Sequence, residues 1–336
     1  MTYKPPFEIT ARAINLISEI SAHLERFSIA MEQGDGVQLR KINRMKTIHG
    51  TLAIEGNSLS EEQVTALIEG KSVVAPLREI QEVRNAIKAY ESFMKFDPYS
   101  PEDLLKAHGI FALGLVDNPG HFRKSGVCVM GREGISHVAP PAHRVPSLIS
   151  DLFDWVKKSE DHILIKSSIF HYEFEFIHPF PDGNGRMGRF WQSRLLAEWN
   201  PVFEYLPIEN MIRENQADYY KAIEQSTEKN DSGIFAEFML QTILDAIKKH
   251  KNKNVQENVQ ENVQENVQEK TREELILELL QKNNAISIRE LAEQLHITTK
   301  TIQRDLDKLK SQNLIRRVGP DKGGHWEIIT EENEAK

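Results

Sequence analysis

Apolar residues at Ile14, Ile17, Ile20, Leu24 and Phe27 recur at helical spacing behind Thr10, and the spacing predicts a helix over 10–27 with the threonine hydroxyl as its N-cap. The same period runs through most of the chain. Ser60-Glu61-Glu62-Gln63 has the form of a capping box, opening a helix through Val64, Leu67 and Ile68 that Gly70 ends. Further periodic stretches cover 77–93, 101–113, 146–157 and 163–176. One segment departs from this pattern. Gly126 to Gly131 and Gly134 to Val138 hold β-formers around a glycine-bearing turn, ahead of Pro140 and Pro141, and predict a short hairpin.

Composition changes abruptly after Ile247. A basic run, Lys248-Lys249-His250-Lys251, leads into Asn-Val-Gln-Glu, repeated four times from Asn254 to Glu269. On a helix Val255, Val259, Val263 and Val267 would form a thin, drifting stripe, too narrow to bury alone, so the repeat reads as a solvated spacer in preference to a partner-binding helix. Beyond it, 273–280 and 288–295 predict helices, a tight turn at His296 and Ile297 follows, and another helix runs from Thr298 to Leu309. Two helices so closely joined, the second opening on small hydroxyl residues and carrying Lys300, Gln303 and Arg304, match a helix-turn-helix. Leu314 to Val318, a glycine-rich stretch over 319–324 and His325 to Ile329 read as a two-stranded wing, so the tail resembles a winged helix-turn-helix domain.

The chain has 336 residues, 40% of them hydrophobic, enough for a sizeable core plus a smaller second unit. A net charge of -8 argues against a protein that coats nucleic acid over its whole surface. DNA contact by the tail therefore falls to one face: Lys300, Gln303 and Arg304 on the recognition helix, with Arg316, Arg317 and Lys322 around the wing. Docking of a protein partner is the alternative use of such a module. A single cysteine, Cys128, excludes an intramolecular disulfide and a thiolate-rich zinc site. No apolar run nears the roughly 20 residues of a membrane-spanning helix. The start, MTYKPPFEIT, lacks the apolar stretch of a secretion signal, and the expectation is a cytoplasmic chain with no membrane partner.

The densest chemistry lies in HPFPDGNGRMGR, His178 to Arg189. Phe170, Phe174 and Ile177 predict a buried helix that ends at His178, because Pro179 disfavours helix in the residue before it. Gly183-Asn184-Gly185 loosens the backbone, and a new helix begins through Phe190, Leu195 and Leu196. A glycine-loosened loop opening onto a helix N-terminus attracts an anion, phosphate above all. Arg186 and Arg189, three apart, lie on one face of the first turns and can both fork onto a polyphosphate, while their mutual repulsion calls for an anionic ligand or an acidic partner. Asp182 is suited to Mg²⁺ bridging phosphate oxygens, and His178 to accepting a proton from an incoming hydroxyl.

These residues agree at every defining position with the signature H-x-F-x-[DE]-G-N-G-R-x-x-R, and the chain resembles the Fic family. The resemblance implies a mainly α protein: a Fic-type helical bundle with a short β-hairpin flap, then a linker and a small winged-helix α+β domain. It divides the chain into a 1–95 helical region with an inhibitory helix, a 96–250 catalytic core, a 251–272 linker and a 273–330 winged domain. The activity implied is transfer of AMP from ATP to Ser, Thr or Tyr hydroxyls of proteins, the chain itself among them, with His178 as base. Asp182 would hold Mg²⁺. Gly183, Asn184, Gly185 and Arg186 would cradle the α- and β-phosphates, Arg189 would clasp the γ-phosphate, Met187 and Gly188 would complete the nucleotide-binding run, and Phe180 would be a buried anchor. Gly120-His-Phe-Arg123 and the hairpin resemble the family's flap, with Cys128, Val129, Met130 and Gly131 as the edge that aligns a target strand. Tyr219-Tyr220 resembles the tyrosine pair near adenine, and Thr227 stands where some relatives carry an adenine-contacting asparagine.

Thr51-Leu-Ala-Ile-Glu55-Gly56-Asn57 resembles the family's inhibitory motif, [ST]-x-x-x-E-[GN]. The resemblance implies that Glu55, itself at the nucleotide site, pairs with Arg189 and blocks productive seating of the γ-phosphate. In some relatives the same glutamate positions water for removal of AMP. Two other functions stay open: a DNA-binding regulator that senses nucleotide here, and transfer of UMP or phosphocholine in place of AMP. Association with further copies of the chain is also open.

Overall fold

The first helix, α1 (Ala11–Glu32), starts where the Ala13 N–H donates to Thr10 Oγ1 at 3.0 Å. Its buried stripe is Ala13, Leu16, Ile20, Leu24 and Phe27, whereas Ile14, assigned to the apolar face from sequence, is 58% exposed. The reason is angular. Residues 13, 16, 20, 24 and 27 stay within one stripe at ~100° per residue, and position 14 stands a full step off it.

The computed structural model describes residues 3–32, 36–131, 134–265, 272–295, 299–312, 314–319 and 324–329. Within them the chain forms two units, Met1–Lys253 and Asn254–Lys336. After α1 come α2 (Gly36–Ile54), α3 (Glu61–Ile68), α4 (Leu77–Glu91) and α5 (Pro101–Phe111). The capping box of α3 is formed in both directions, Gln63 N–H to Ser60 Oγ at 3.3 Å and Ser60 N–H to Gln63 Oε1 at 2.9 Å. The hairpin β1 (Cys128–Gly131) and β2 (Gly134–Val138) is antiparallel, with Cys128 opposite Val138 and a bulge between Val129 and Met130. Then follow α6 (Val145–Lys158), α7 (Ile163–Ile177), α8 (Asn184–Trp199), α9 (Ile208–Glu214), α10 (Gln216–Lys229) and α11 (Gly233–Glu265). Helix α11 crosses the compositional break without interruption and takes in the first three Asn-Val-Gln-Glu copies; the fourth lies outside the described residues.

Helix α7 is apolar around most of its circumference and is buried correspondingly, through Leu164, Ile165, Ile169, Phe170, Phe174 and Ile177. It packs on α8, where Met187, Phe190, Trp191, Leu195 and Leu196 are all buried. Around Phe190 the rings of Tyr90, Phe93 and Phe111 stand edge-on at 5.1, 5.0 and 5.2 Å, so α4, α5 and α8 share one aromatic core. Helix α2 closes on α9 at Gly50, where a β-carbon would stand 2.8 Å from the Asn210 backbone nitrogen. That close approach brings the C-terminal end of α2 to the start of α8.

The second unit holds α12 (Arg272–Lys282), α13 (Ile288–Gln294), α14 (Thr299–Ser311), β3 (Ile315–Val318) and β4 (His325–Ile328), the strands pairing antiparallel with Ile315 opposite Ile328. Its core is Ile276, Leu280, Leu291, Ile302, Leu306, Leu309, Ile315 and Trp326. Ile302, Leu306 and Leu309 turn one face of α14 inward and leave Gln303 and Arg304 exposed. Residues 296–298, Lys322 and the side chain of Lys300 lie outside the described residues. Among the described residues no helix is long and apolar enough to cross a membrane.

Replacing Gly50 with Ala drives a β-carbon into backbone rather than into a flexible side chain, so α2 and α9 must part. The expected cost is about 2 kcal/mol, read as a lowered thermal midpoint of the larger unit. An unchanged midpoint would show that the two helices yield freely.

Candidate active site

His178 caps α7 in a left-handed conformation, φ 49° and ψ 62°, which costs a residue bearing a β-carbon roughly 1–2 kcal/mol. Its N–H still donates to Phe174 O at 2.9 Å, so the helix ends tightly and the chain turns sharply into Pro179. Phe180 is fully buried and stacks on the His108 imidazole, ring centroids 3.7 Å apart and planes at 3°. The Asn184 side chain closes the turn by accepting from Phe180 N–H at 2.8 Å and donating to Phe180 O at 2.9 Å. Gly183, φ 84°, then begins α8 without a side-chain cap. The first N–H groups of α8 and its dipole therefore form an anion site.

His108 fixes this loop from α5. Its Nε2 stands 3.1 Å from Asp182 O, and its Nδ1 accepts from Gly120 N–H at 3.0 Å, so the neutral ring carries its proton on Nε2. Burial pushes this imidazole down to about 4, which keeps that tautomer through neutral pH. Nothing in the local sequence around His108 announces the role; its partners are 12 and 74 residues away.

The two arginines of α8 meet different carboxylates. Arg186 donates to Asp182 at 3.3 Å, and Asp182, 41% exposed at its side chain, also receives Arg78 at 3.1 Å. Arg189 is 2% exposed and donates to Glu55 Oε1 at 2.6 Å, to Thr51 Oγ1 at 3.1 Å and to Thr51 O at 3.1 Å. The sequence placed both arginines on one polyphosphate; in this structure each is engaged by a carboxylate. Glu55 follows the last turn of α2, where Gly56 takes φ 90°. The segment is tied on two sides: Asn57 Nδ2 donates to Glu79 O and Glu82 Oε2 at 3.2 and 2.9 Å, and Gln216 Nε2 to Ile54 O at 3.0 Å. Gly185 leaves space beneath it, and a side chain there would displace the Glu55 carboxylate.

Behind Arg189 lies a buried polar chain. Tyr219 OH and His171 Nε2 stand 3.1 Å apart, His171 Nδ1 and Gln192 Oε1 2.6 Å, and Gln192 Nε2 donates to Ser168 Oγ at 3.1 Å. Tyr219 is thus 2% exposed with its hydroxyl turned inward, while Tyr220 is half-buried beside it, ring centroids 5.2 Å apart. Thr227 donates to Ile223 O at 2.9 Å and meets Tyr172 OH at 3.0 Å. Burial pushes the His171 imidazole down to about 3 and the Glu175 carboxyl up to about 8, so both are neutral and Glu175 adds no charge beside Arg189. Met187 is buried, and Gly188 leaves room for Glu175, whose Oε1 a β-carbon would approach to 2.8 Å. On the hairpin, Cys128 is exposed, while the side chains of Val129, Met130 and Gly131 lie outside the described residues.

A left-handed histidine, an uncapped helix start and two arginines thus lie together within 12 residues. Residues 98–196 match the model of the Fic/DOC family, and residues 272–319 that of the DeoR-like helix-turn-helix domain. A Fic family protein from Desulfovibrio desulfuricans G20 is 38% identical and superposes with a TM-score of 0.73, over 98% of this chain and 99% of that one. The chain belongs to the Fic family and carries a C-terminal DeoR-like helix-turn-helix domain. Among curated relatives, a probable protein adenylyltransferase of Aquifex aeolicus is 29% identical over 40% of this chain and 47% of its own length. The protein adenylyltransferase Fic of Culex quinquefasciatus is 31% identical over 51% of this chain and 35% of its own. The chain thus spans less than half the length of these two relatives. Fic-1 from Caenorhabditis elegans, 21% identical with a TM-score of 0.56, shares the fold.

Glu175 is protonated in the fold up to about pH 8 but ionises near 4.5 once unfolded. The stability tied to its neutral form is fully present below about pH 4.5 and lost as pH rises through about 8. Gln at this position keeps the neutral shape and does not titrate. The thermal midpoint of Glu175→Gln relative to wild type is therefore expected to rise between pH 5 and pH 8; a difference independent of pH would mean that Glu175 is ionised in the fold.

Proposed function

We propose that this chain transfers AMP from ATP to a hydroxyl side chain of a protein, and that Glu55 restrains the transfer. The Glu55–Arg189 bond carries this reading: a buried cation at the start of α8, next to a complete signature motif, is held by a carboxylate from outside that motif. The names of the relatives support the activity. His178 accepts the proton of the target hydroxyl, whose oxygen attacks the α-phosphorus while the bond to pyrophosphate breaks. The first turn of α8 with Arg186 binds the α- and β-phosphates, and Arg189 binds the γ-phosphate once Glu55 leaves it. ATP seated with Glu55 in place has its α-phosphorus poorly aligned for in-line attack.

Among the described residues no group of three or more metal-ligating side chains is found. A Mg²⁺ ion would be held by Asp182, with phosphate oxygens and water completing a donor set that this ion favours. The exposed Asp182 carboxylate, held by two arginines across its edge, fits that use. Bound there, Mg²⁺ would neutralise phosphate charge.

Glu55→Gly is expected to raise protein labelling from ATP labelled at the α-phosphate at least tenfold, and His178→Ala to abolish it. Labelling by the Glu55 variant no greater than by wild type would remove the restraint from this reading, and equal labelling from UTP would remove the choice of AMP.

The exposed Gln303 and Arg304 on α14 favour a further role for the tail, contact with DNA through the major groove. Of the wing cations, Arg316 is engaged by Glu327 at 2.6 Å and Arg317 lies over Trp326 at 4.9 Å. Arg304→Ala is expected to weaken binding to a mixed duplex pool and lower the salt slope by about 1. Binding that ignores salt between 50 and 200 mM would indicate a protein partner instead.

A further inference from the structure

Arg123 is 4% exposed, and the partners of its guanidinium are main-chain carbonyls. Nε donates to His178 O at 2.7 Å, and Nη2 to Ile177 O at 3.2 Å, so one edge of the fork caps the C-terminal end of α7. Nη1 donates to Ser125 O at 2.8 Å and Nη2 also to Pro140 O at 2.5 Å, which are the two feet of the β1–β2 hairpin. The Arg123 N–H adds a bond to Pro179 O at 2.9 Å. A cation suits this place, because the carbonyls ending a helix carry partial negative charge. The planar fork matters more. It holds five donors in one rigid plane, whereas a lysine offers a point charge on a flexible stem.

His178 has a left-handed backbone that a residue with a β-carbon adopts only where its surroundings over-determine it. Arg123 supplies part of that determination through the His178 carbonyl itself. The same rigid group also holds both ends of the hairpin, so displacement of either hairpin foot is transmitted to the His178 backbone.

We propose that Arg123 is a positioning residue that sets the orientation of His178 and couples it to the hairpin, so that a target strand seated on the hairpin is sensed at the base. The coupling rests on the function proposed above, since it gives His178 its task. Arg123 touches neither the nucleotide nor the hydroxyl in this scheme. It acts through carbonyls on both sides.

The test uses the full chain in a Glu55→Gly background, with Arg123→Lys, which keeps the charge and loses the fork, and Arg123→Gln. The expected result is a fall in kcat of tenfold or more, with the Kd for ATP within twofold. The imidazole signal of His178, assigned by comparison with His178→Ala in a histidine-labelled NMR spectrum, is expected to shift. A folded Arg123→Lys chain with kcat within twofold, or one losing kcat and ATP affinity together with the His178 signal unmoved, would overturn the proposal. A second readout leaves Arg123 untouched: the single cysteine, exposed Cys128, is alkylated with a bulky maleimide to load the hairpin. The His178 signal should move in the parent chain and stay in Arg123→Gln. No movement in the parent overturns the coupling even where the variants fail to fold. Both NMR readouts need no turnover, so they decide for Arg123 even where the unrestrained chain transfers no AMP.

Discussion

The guanidinium of Arg189 is deeply buried, and a carboxylate meets its charge. Removing such a charge from water costs several kcal/mol, which a partner of opposite charge and good hydrogen-bond geometry offsets. Thr51 supplies a hydroxyl and a carbonyl, both neutral, and Glu175 is held neutral by its own burial. The negative charge comes from Glu55. On the function proposed above, a ligand phosphate and Glu55 would compete for this one cation. The remaining architecture follows from holding Glu55 at that point: Gly50 lets α2 close on α9, Asn57 and Gln216 tie the end of α2 to its neighbours, and Gly185 leaves space beneath the carboxylate.

The two arginines of α8 differ in how readily their partners leave. Asp182 is 41% exposed, so its bonds to Arg186 and Arg78 are screened by water and are worth a fraction of a kcal/mol to about 1 kcal/mol each. They rearrange at little cost when a cation or phosphate arrives. Arg189 is held more tightly: it is buried and bonded both to the Glu55 carboxylate and to the hydroxyl and carbonyl of Thr51 on α2.

Much of this was legible in the sequence because the informative spacings are short. The capping box at Ser60, the hairpin of 128–138 and the helix break at His178 each depend on residues within a few positions, where local sterics decide the outcome. The face of α1 was misjudged at Ile14 because apolar identity alone does not tell which of two adjacent stripes meets the core. The supporting residues were hidden for a different reason. His108 meets Asp182 across 74 positions, Arg78 meets Asp182 across 104, and Arg123 reaches His178 across 55. No periodicity links such pairs. Only tertiary packing brings them together, and a histidine or arginine in a helix or loop carries no mark of it beforehand.

Main-chain constraint and charge divide the labour in this site. The main chain from His178 to Gly183 is fixed by a left-handed residue, a proline, a ring stacked on His108, the side chain of Asn184 bonded to the Phe180 backbone and the Arg123 guanidinium bonded to the His178 carbonyl, none of them an ion pair. Under the proposed function such contacts would keep the base in place as ligands come and go. The charged contacts, Glu55 to Arg189 and Asp182 to Arg186, involve the cations that the proposed function gives to a polyphosphate, which would replace each with a bond of the same sign and kind. A site built the other way, with its loop held by ion pairs and its cations by neutral groups, would lose its shape on binding the ligand. One stretch of 12 residues thus combines a main chain fixed without ion pairs and two arginines engaged by carboxylates.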